Sequence, residues 1–164
     1  SNGPIFFTQV RVGYHGRKFK IYKFRTMVND AESKLNDLTK MNEQSGPVFK
    51  MGNDPRITSV GKWLRKYSID ELPQLYNVIK GDMNLVGPRP PIPSEVKRYK
   101  PEWHKRLNMK PGITGLWQIS GRNEIVDFDD WVKLDLKYIN EWSIKLDFLI
   151  ILKTIPHIFR GSGQ

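Results

Sequence analysis

The sequence predicts an α+β fold: residues 1–164 form a single, mostly helical domain with a small β-hairpin or sheet and Pro-rich extended connections. Three observations carry this. Two β-rich runs flank a turn near the N-terminus, apolar residues recur at helical spacing through the C-terminal third, and prolines break the chain between them. At 164 residues the chain can bury one sizeable core but hardly two.

The elements follow in order. Phe6 to Val12 and Phe19 to Thr26 have strand composition around Gly13-Tyr14-His15-Gly16, a hairpin pattern. Asn29 or Asp30 can cap a helix running to about Glu43, with Ala31, Leu35, Leu38 and Met41 near helical period. Ser45-Gly46-Pro47 ends it, and residues 48–57 form a loop. Ser59 caps a short helix bearing Val60, Trp63 and Leu64. Ser68 and Glu71 match a capping box, which starts a helix at Ile69 whose apolar face is Leu72, Leu75, Tyr76 and Ile79. Pro73 falls in its first turns, where a missing N–H costs little; Lys80-Gly81 closes it. Residues 86–93, rich in proline, can only be extended. Ser94 to Leu107 reads as helix broken at Pro101, Ile113 to Ile119 as strand, and Asp127 to Trp142 as a helix with Phe128, Trp131, Leu134, Tyr138 and Trp142 on one face. A last amphipathic helix spans Ile144 to Phe159, interrupted by Pro156.

Composition narrows the chemistry. A formal charge of +10 calls for an anionic partner: nucleic acid, an acidic membrane surface or a phosphorylated small molecule. The first 25 residues carry Arg11, Arg17, Lys18, Lys20, Lys23 and Arg25 and no acid, which marks this end as a contact surface. With no cysteine, thiolate metal sites and thiol nucleophiles are excluded. His15, His104 and His157 are scattered, without metal-ligand spacing. No run approaches the ~20 apolar residues that span a bilayer.

Against this basic background Asp70 and Glu71 stand together, just beyond Lys62, Arg65 and Lys66. Carboxylates among cations suit chemistry on a phosphate ester: one can attack phosphorus, a neighbour can hold a divalent cation, and the cations neutralise the other oxygens. Acids in a first helical turn are equally explained as capping and dipole compensation. Gly87-Pro88-Arg89-Pro90 presents an arginine fork on a stiff backbone, either to bind phosphate or as a rigid surface turn; Asp54-Pro55-Arg56 is a weaker version. Around Lys110-Pro111-Gly112-Ile113-Thr114-Gly115, Gln118, Arg122 and Asn123 can contact a nucleotide or sugar, or belong to a structural strand and turn. Lys23-Phe24-Arg25-Thr26-Met27 is an anion-binding segment or an edge strand with polar outer positions. The last helix is an interfacial helix or a core helix docked on the Trp131 face, and Trp103-His104-Lys105-Arg106 fits a membrane interface.

In order, Phe6-Phe7-Thr8-Gln9-Val10-Arg11-Val12-Gly13, Lys23-Phe24-Arg25-Thr26-Met27, Asn53-Asp54-Pro55-Arg56-Ile57-Thr58, residues 65–75 with Asp70-Glu71, residues 81–90 ending in Gly87-Pro88-Arg89-Pro90, and Lys110 to Gln118 resemble the bacterial sugar transferases, the small monotopic polyprenyl-phosphate phosphoglycosyltransferases. The resemblance covers nearly the whole chain. It implies a ping-pong reaction in which Asp70 attacks the sugar-linked phosphorus of a UDP-sugar, UMP leaves, and undecaprenyl phosphate takes the sugar phosphate from the aspartate. Glu71 would help hold Mg²⁺, the cofactor the family implies. Arg65 and Arg89, and less directly Arg56, Gln118 and Arg122, would bind substrate. UDP-glucose and UDP-galactose are the donors it suggests, and the cytoplasmic face of the bacterial inner membrane the place, at the first membrane step of capsule, exopolysaccharide or O-antigen assembly. Family members carry a hydrophobic segment that enters and leaves one membrane face ahead of the first strand; on this reading residues 1–164 are the catalytic domain without it, soluble or peripheral by themselves. The rivals are a basic nucleic-acid-binding domain, which leaves the acidic pair without a role and shows no known binding motif, and a non-catalytic membrane-surface scaffold.

Overall fold

A computed structural model describes residues 3–121 and 125–161 of the chain. The hairpin forms as its composition dictates. Strands β1 (Phe6–Val12) and β2 (Lys18–Phe24) pair antiparallel with Phe6 opposite Phe24 and Val12 opposite Lys18. Directly opposed residues share a face, so Phe7, Gln9 and Arg11 lie on the same side as Lys23, Ile21 and Phe19. That side faces the protein: Ile21 is buried, whereas Thr8, Val10 and Lys20 on the other side are exposed.

The long helix expected from residue 29 or 30 does not form. Helix α1 is one turn (Leu35–Leu38), continued by a 3-10 turn at Thr39–Met41. Leu35 and Leu38 are only half-buried and Met41 is exposed, so little packing rewards a longer helix. Short polar side chains also bond the local backbone, Ser33 Oγ donating to the Asp30 carbonyl at 2.8 Å and Thr39 Oγ1 to the Asn36 carbonyl at 2.7 Å.

Helix α2 (Ser59–Lys66) is capped one residue earlier than expected, by Thr58, whose Oγ1 accepts from the Gly61 N–H at 3.0 Å. A 3-10 turn at Ile69–Glu71 follows, and helix α3 (Gln74–Ile79) ends at Gly81, whose φ of +80° suits only glycine. Asn77, fully buried on α3, accepts from the Tyr22 N–H at 3.2 Å and donates to the Lys20 carbonyl at 2.7 Å. Its amide thus supplies β2 with the hydrogen bonds a third strand would have made.

Strand β3 (Asn84–Val86) leads into the Pro-rich connection, and helix α4 (Pro93–Val96) and a 3-10 stretch (Pro101–Asn108) replace the predicted broken helix. Trp103 and Arg106 in that stretch are buried, so this segment belongs to the core rather than to an interface. Residues 113–119 divide into two elements instead of one strand. Strand β4 (Gly112–Thr114) pairs parallel with β3, and helix α5 (Leu116–Ile119) follows Gly115. The reason is tertiary: Trp117 stacks on Trp131 with ring centroids 3.9 Å apart, while Leu116 and Ile119 pack on a second cluster around Val86, Tyr138 and Ile150. A Cβ on Gly112 would lie 2.1 Å from the Gly87 nitrogen, so the two backbones can touch only because glycine stands there.

Helix α6 (Phe128–Asn140), capped by Asp127, is the axis of the core. Phe128, Trp131 and Val132 join Val48, Trp103 and Trp117 in one apolar cluster, and Tyr138 joins the second. Buried Asp135 holds Arg106 at 2.6 Å, and Arg106 Nη1 donates to the Tyr99 hydroxyl at 2.6 Å. Helix α7 (Ile144–Arg160) runs through Pro156. Ile150 is fully buried, yet Ile144, Phe148, Leu152 and Phe159 are exposed, so α7 docks one face and leaves the other uncovered. Trp63, Leu75, Tyr76 and Ile79 on α2 and α3 are exposed as well. Among the described residues no helix is long and apolar enough to cross a membrane.

The tightest junction lies between the hairpin and α2. The Thr26 carbonyl accepts from the Thr58 N–H at 2.9 Å, and a Cβ built on Gly61 would sit 2.0 Å from that same oxygen. Because backbone rather than a flexible side chain blocks the space, Gly61→Ala is expected to destabilise the domain by about 2 kcal/mol or more in urea unfolding, as overpacking does; unchanged stability would show that α2 can move off the hairpin.

Candidate active site

The acidic pair is presented by strain, not by a capping box. Ser68 adopts φ 54° and ψ 21°, a left-handed conformation unusual for a non-glycine residue, and its side chain makes no cap. The chain turns sharply there, and residues 69–71 form a 3-10 turn before α3 begins at Gln74. Asp70 is consequently buried, 6% exposed, rather than standing on the first turn of an open helix. Backbone strain of this kind persists where the surroundings enforce it and is common at functional sites.

Asp70 and Glu71 line a cleft of about 250 Å³ with Arg11, Lys23, Arg65 and Arg89. Each cation is placed by a different element. Lys23, on the inward face of β2, bonds Glu71 Oε1 at 2.7 Å. Arg65, in the last turn of α2, donates from Nε to Thr26 Oγ1 at 2.9 Å, so the Thr26 residue that anchors α2 also orients the arginine. Burial depresses the Arg65 guanidinium, and the charges of Asp70, Asp54 and Glu71 oppose that effect. Arg89 stands on the Pro-rich connection, 3.5 Å from Glu95 Oε2 and above the Trp131 ring at 5.8 Å. Buried Glu95 in turn accepts from the Ile92 N–H at 3.0 Å, which ties the arginine to the stiff backbone carrying it.

Arg56 also reaches the cleft wall, where its side chain is engaged within the protein. Its guanidinium forms a bidentate pair with Asp54, the shortest contact 2.6 Å, and Nη1 donates to the Ala31 carbonyl at 3.1 Å. Burial disfavours charge on Asp54, yet the hydrogen bonds from Arg56 and the charges of Arg56 and Arg65 hold its carboxyl below the usual range. Gln118 is not brought to the cleft; its amide donates to the Ile113 carbonyl at 3.2 Å, and the neighbouring Trp117 lines the cleft instead. Arg122 lies outside the described residues.

Arg11 and Trp131 line the cleft without a site assignment from sequence, and Lys23, offered there as part of an anion-binding segment or an edge strand, joins them. Arg11 and Lys23 sit in segments the sequence had marked as basic, and the hairpin register puts both on the inward face. Alternation along each strand, Phe7-Gln9-Arg11 and Phe19-Ile21-Lys23, was the available signal. Trp131, a residue of the core cluster, also supports Arg89 with one side of its ring.

Chemically, the cleft offers a buried carboxylate with guanidinium and ammonium groups from several elements around it. The acidic donors are hard oxygens, and among the described residues no cluster of three or more His, Asp or Glu side chains forms a ready-made metal cage. That donor set fits a small hard cation that takes one or two carboxylates and completes its shell from substrate phosphates and water.

The sequence profile described as bacterial sugar transferase matches residues 1–161. The chain is 58% identical to the galactosyl transferase CpsE of Streptococcus agalactiae over 98% of its own length and 36% of that protein. It is 46% identical to the undecaprenyl-phosphate galactose phosphotransferase of Salmonella typhimurium over 98% of itself and 34% of that protein. It is 43% identical to the exopolysaccharide production protein ExoY of Sinorhizobium fredii over 99% of itself and 73% of that protein. The chain therefore spans about a third of the first two relatives and most of the third. With the profile match running from the first strand through the last helix, this chain belongs to the bacterial sugar transferase family.

Proposed function

We propose that this chain transfers a hexose 1-phosphate from a UDP-sugar to undecaprenyl phosphate through a covalent intermediate on Asp70. The observation that carries the proposal is a buried carboxylate held by a strained turn inside a cation-lined cleft. An Asp70 oxygen attacks the sugar-linked phosphorus, the bond from that phosphorus to the UMP oxygen breaks, and UMP departs with the electron pair. An oxygen of undecaprenyl phosphate then attacks the same phosphorus, restoring the Asp70 carboxylate and forming the lipid diphosphate sugar. Phosphoryl transfer of this kind depends on positioning and on neutralising the non-bridging oxygens. Arg65 and Arg89 supply fixed positive charge for that purpose, and the Lys23 contact sets the position of Glu71. A magnesium ion held by Glu71, with Asp70 beside it, would neutralise phosphate charge and align the donor.

Galactose is the sugar we propose first, because three of the relatives are named for it; a relative from Komagataeibacter xylinus, 44% identical, is named an undecaprenyl-phosphate glucose phosphotransferase, which keeps glucose as the alternative. The uncovered apolar side chains of α2, α3 and α7 support work at a membrane surface, where a polyprenyl acceptor resides. We place that surface on the cytoplasmic side, in the first membrane step of polysaccharide assembly. A concave, partly buried site also favours a small phosphorylated substrate over nucleic acid.

Two tests follow. With UDP-galactose, Mg²⁺ and undecaprenyl phosphate supplied, Asp70→Asn should lower UMP release by on the order of a thousandfold or more, as removal of a nucleophile does, with an unfolding midpoint close to that of the parent. Donor labelled in the sugar should leave label on Asp70 of the parent protein alone; full turnover with no label on that aspartate would sink the covalent route. Chelation with EDTA should abolish UMP release and added Mg²⁺ restore it, while Glu71→Gln should raise the Mg²⁺ concentration needed for half-maximal rate; turnover indifferent to EDTA would remove the metal from the scheme.

A further inference from the structure

We propose that Arg11 and Arg89 together form one subsite for a phosphate monoester dianion, the chemistry shared by the nucleotide that leaves and the lipid phosphate that enters. The proposal rests on the reading of the cleft given above and names what holds its second anion. Arg11 lies on the inward face of β1, near the end where the strand joins the Pro-rich connection: the Val12 N–H donates to the Pro91 carbonyl at 2.8 Å and Arg11 Nη1 to the Pro90 carbonyl at 2.9 Å. Those bonds fix Arg11 to the segment that carries Arg89, and both residues line the cleft.

Two features point to a ligand. The Nε of Arg11 is buried and has no hydrogen-bond partner among the described residues, although buried donors are normally satisfied. The two guanidiniums also burden each other. Burial, and after it the charge of Arg89, pushes the Arg11 guanidinium below its ordinary value, and Glu95 and Glu71 relieve this only in part. Glu95 is the charge partner of Arg89 at 3.5 Å, and it also accepts from the backbone of Ile92. An anion bound by the two arginines would remove the repulsion, and a small turn of the Arg11 guanidinium toward it would give the buried donor a partner. A monoester dianion suits two positive forks better than an internal phosphate of a diphosphate, because it brings two charges and three terminal oxygens to one phosphorus. A role confined to bracing Pro90 would use Nη1 and leave Nε without purpose.

The decisive measurement reads the Nε–H group itself. In ¹H–¹⁵N spectra of the parent protein, the Arg11 Nε signal is identified by its absence from Arg11→Lys. It should shift on titration with inorganic phosphate and with UMP, and stay in place with uridine. In parallel, Arg11→Gln should weaken binding of at least one phosphate monoester, UMP or a prenyl phosphate, at least about tenfold, the scale of one charged hydrogen bond, while uridine affinity holds. Repeating the titration with a water-soluble short-chain prenyl phosphate identifies the source: selective loss for UMP assigns the subsite to the leaving nucleotide, selective loss for the prenyl phosphate assigns it to the acceptor. An Nε signal unmoved by saturating phosphate monoesters, or equal loss of UMP and uridine binding in Arg11→Gln, would overturn the subsite. If Arg11→Gln fails to fold, the parent spectrum decides alone. Phosphate moving the Nε signal in a protein that neither forms UMP nor labels Asp70 would sink the transferase reading and leave the subsite standing.

Discussion

One backbone contact governs this molecule. At Thr26 the chain leaving the hairpin meets α2 at a distance only Gly61 permits, and the same residue accepts from Thr58 through its carbonyl and from Arg65 through its hydroxyl. The hairpin, the helix cap and a cation of the cleft are therefore set by a single residue. A larger residue at 61 would separate the hairpin from α2, and with it Lys23 from the turn that holds Asp70 and Glu71. A second glycine junction, Gly87 against Gly112, does comparable work where it closes β3 onto β4 just before Arg89.

Electrostatics explain why such close packing is needed. The cleft gathers cations from β1, β2, α2 and the Pro-rich connection around two neighbouring carboxylates. Brought together in water these groups would stay hydrated and far apart, and their interactions would be weak; partly buried, each charge acts more strongly and is more expensive to leave unanswered. The protein answers some internally, pairing Arg56 with Asp54 and Lys23 with Glu71. The remaining positive character is what a phosphate substrate would answer. Deeper in the core, Arg106 and Asp135 resolve the same problem without a ligand, through a short pair supported by Tyr99.

Family membership and the uncovered side chains of α7 bear on each other. A helix that buries Ile150 while exposing Ile144, Phe148 and Phe159 docks on the core by one face, as the core-helix reading expects, and leaves the other face open. One face completes the cluster around Val86 and Tyr138. The other leaves an exposed apolar surface on the molecule that also carries the cleft.

Sequence by itself determined the hairpin, the α+β class, the long α6 and α7 helices and the residue types of the chemistry, because each is written in short-range periodicity or in composition. It also singled out Asp70, Glu71, Arg65 and Arg89, all of which line the cleft. Only the tertiary structure decided that Ser68 would take a left-handed conformation and lift Asp70 into a buried turn, that residues 113–119 would split into strand and helix, and that the helix after Asp30 would shrink to one turn. It likewise brought Arg11 and Lys23 into the cleft and left Gln118 bonded to the Ile113 carbonyl. The physical reason is range. A capping box or an alternating strand is scored within a few residues, whereas Lys23 meets Glu71 across 48 positions and Arg11 meets Pro90 across 79, and contacts so distant leave no mark on any local pattern.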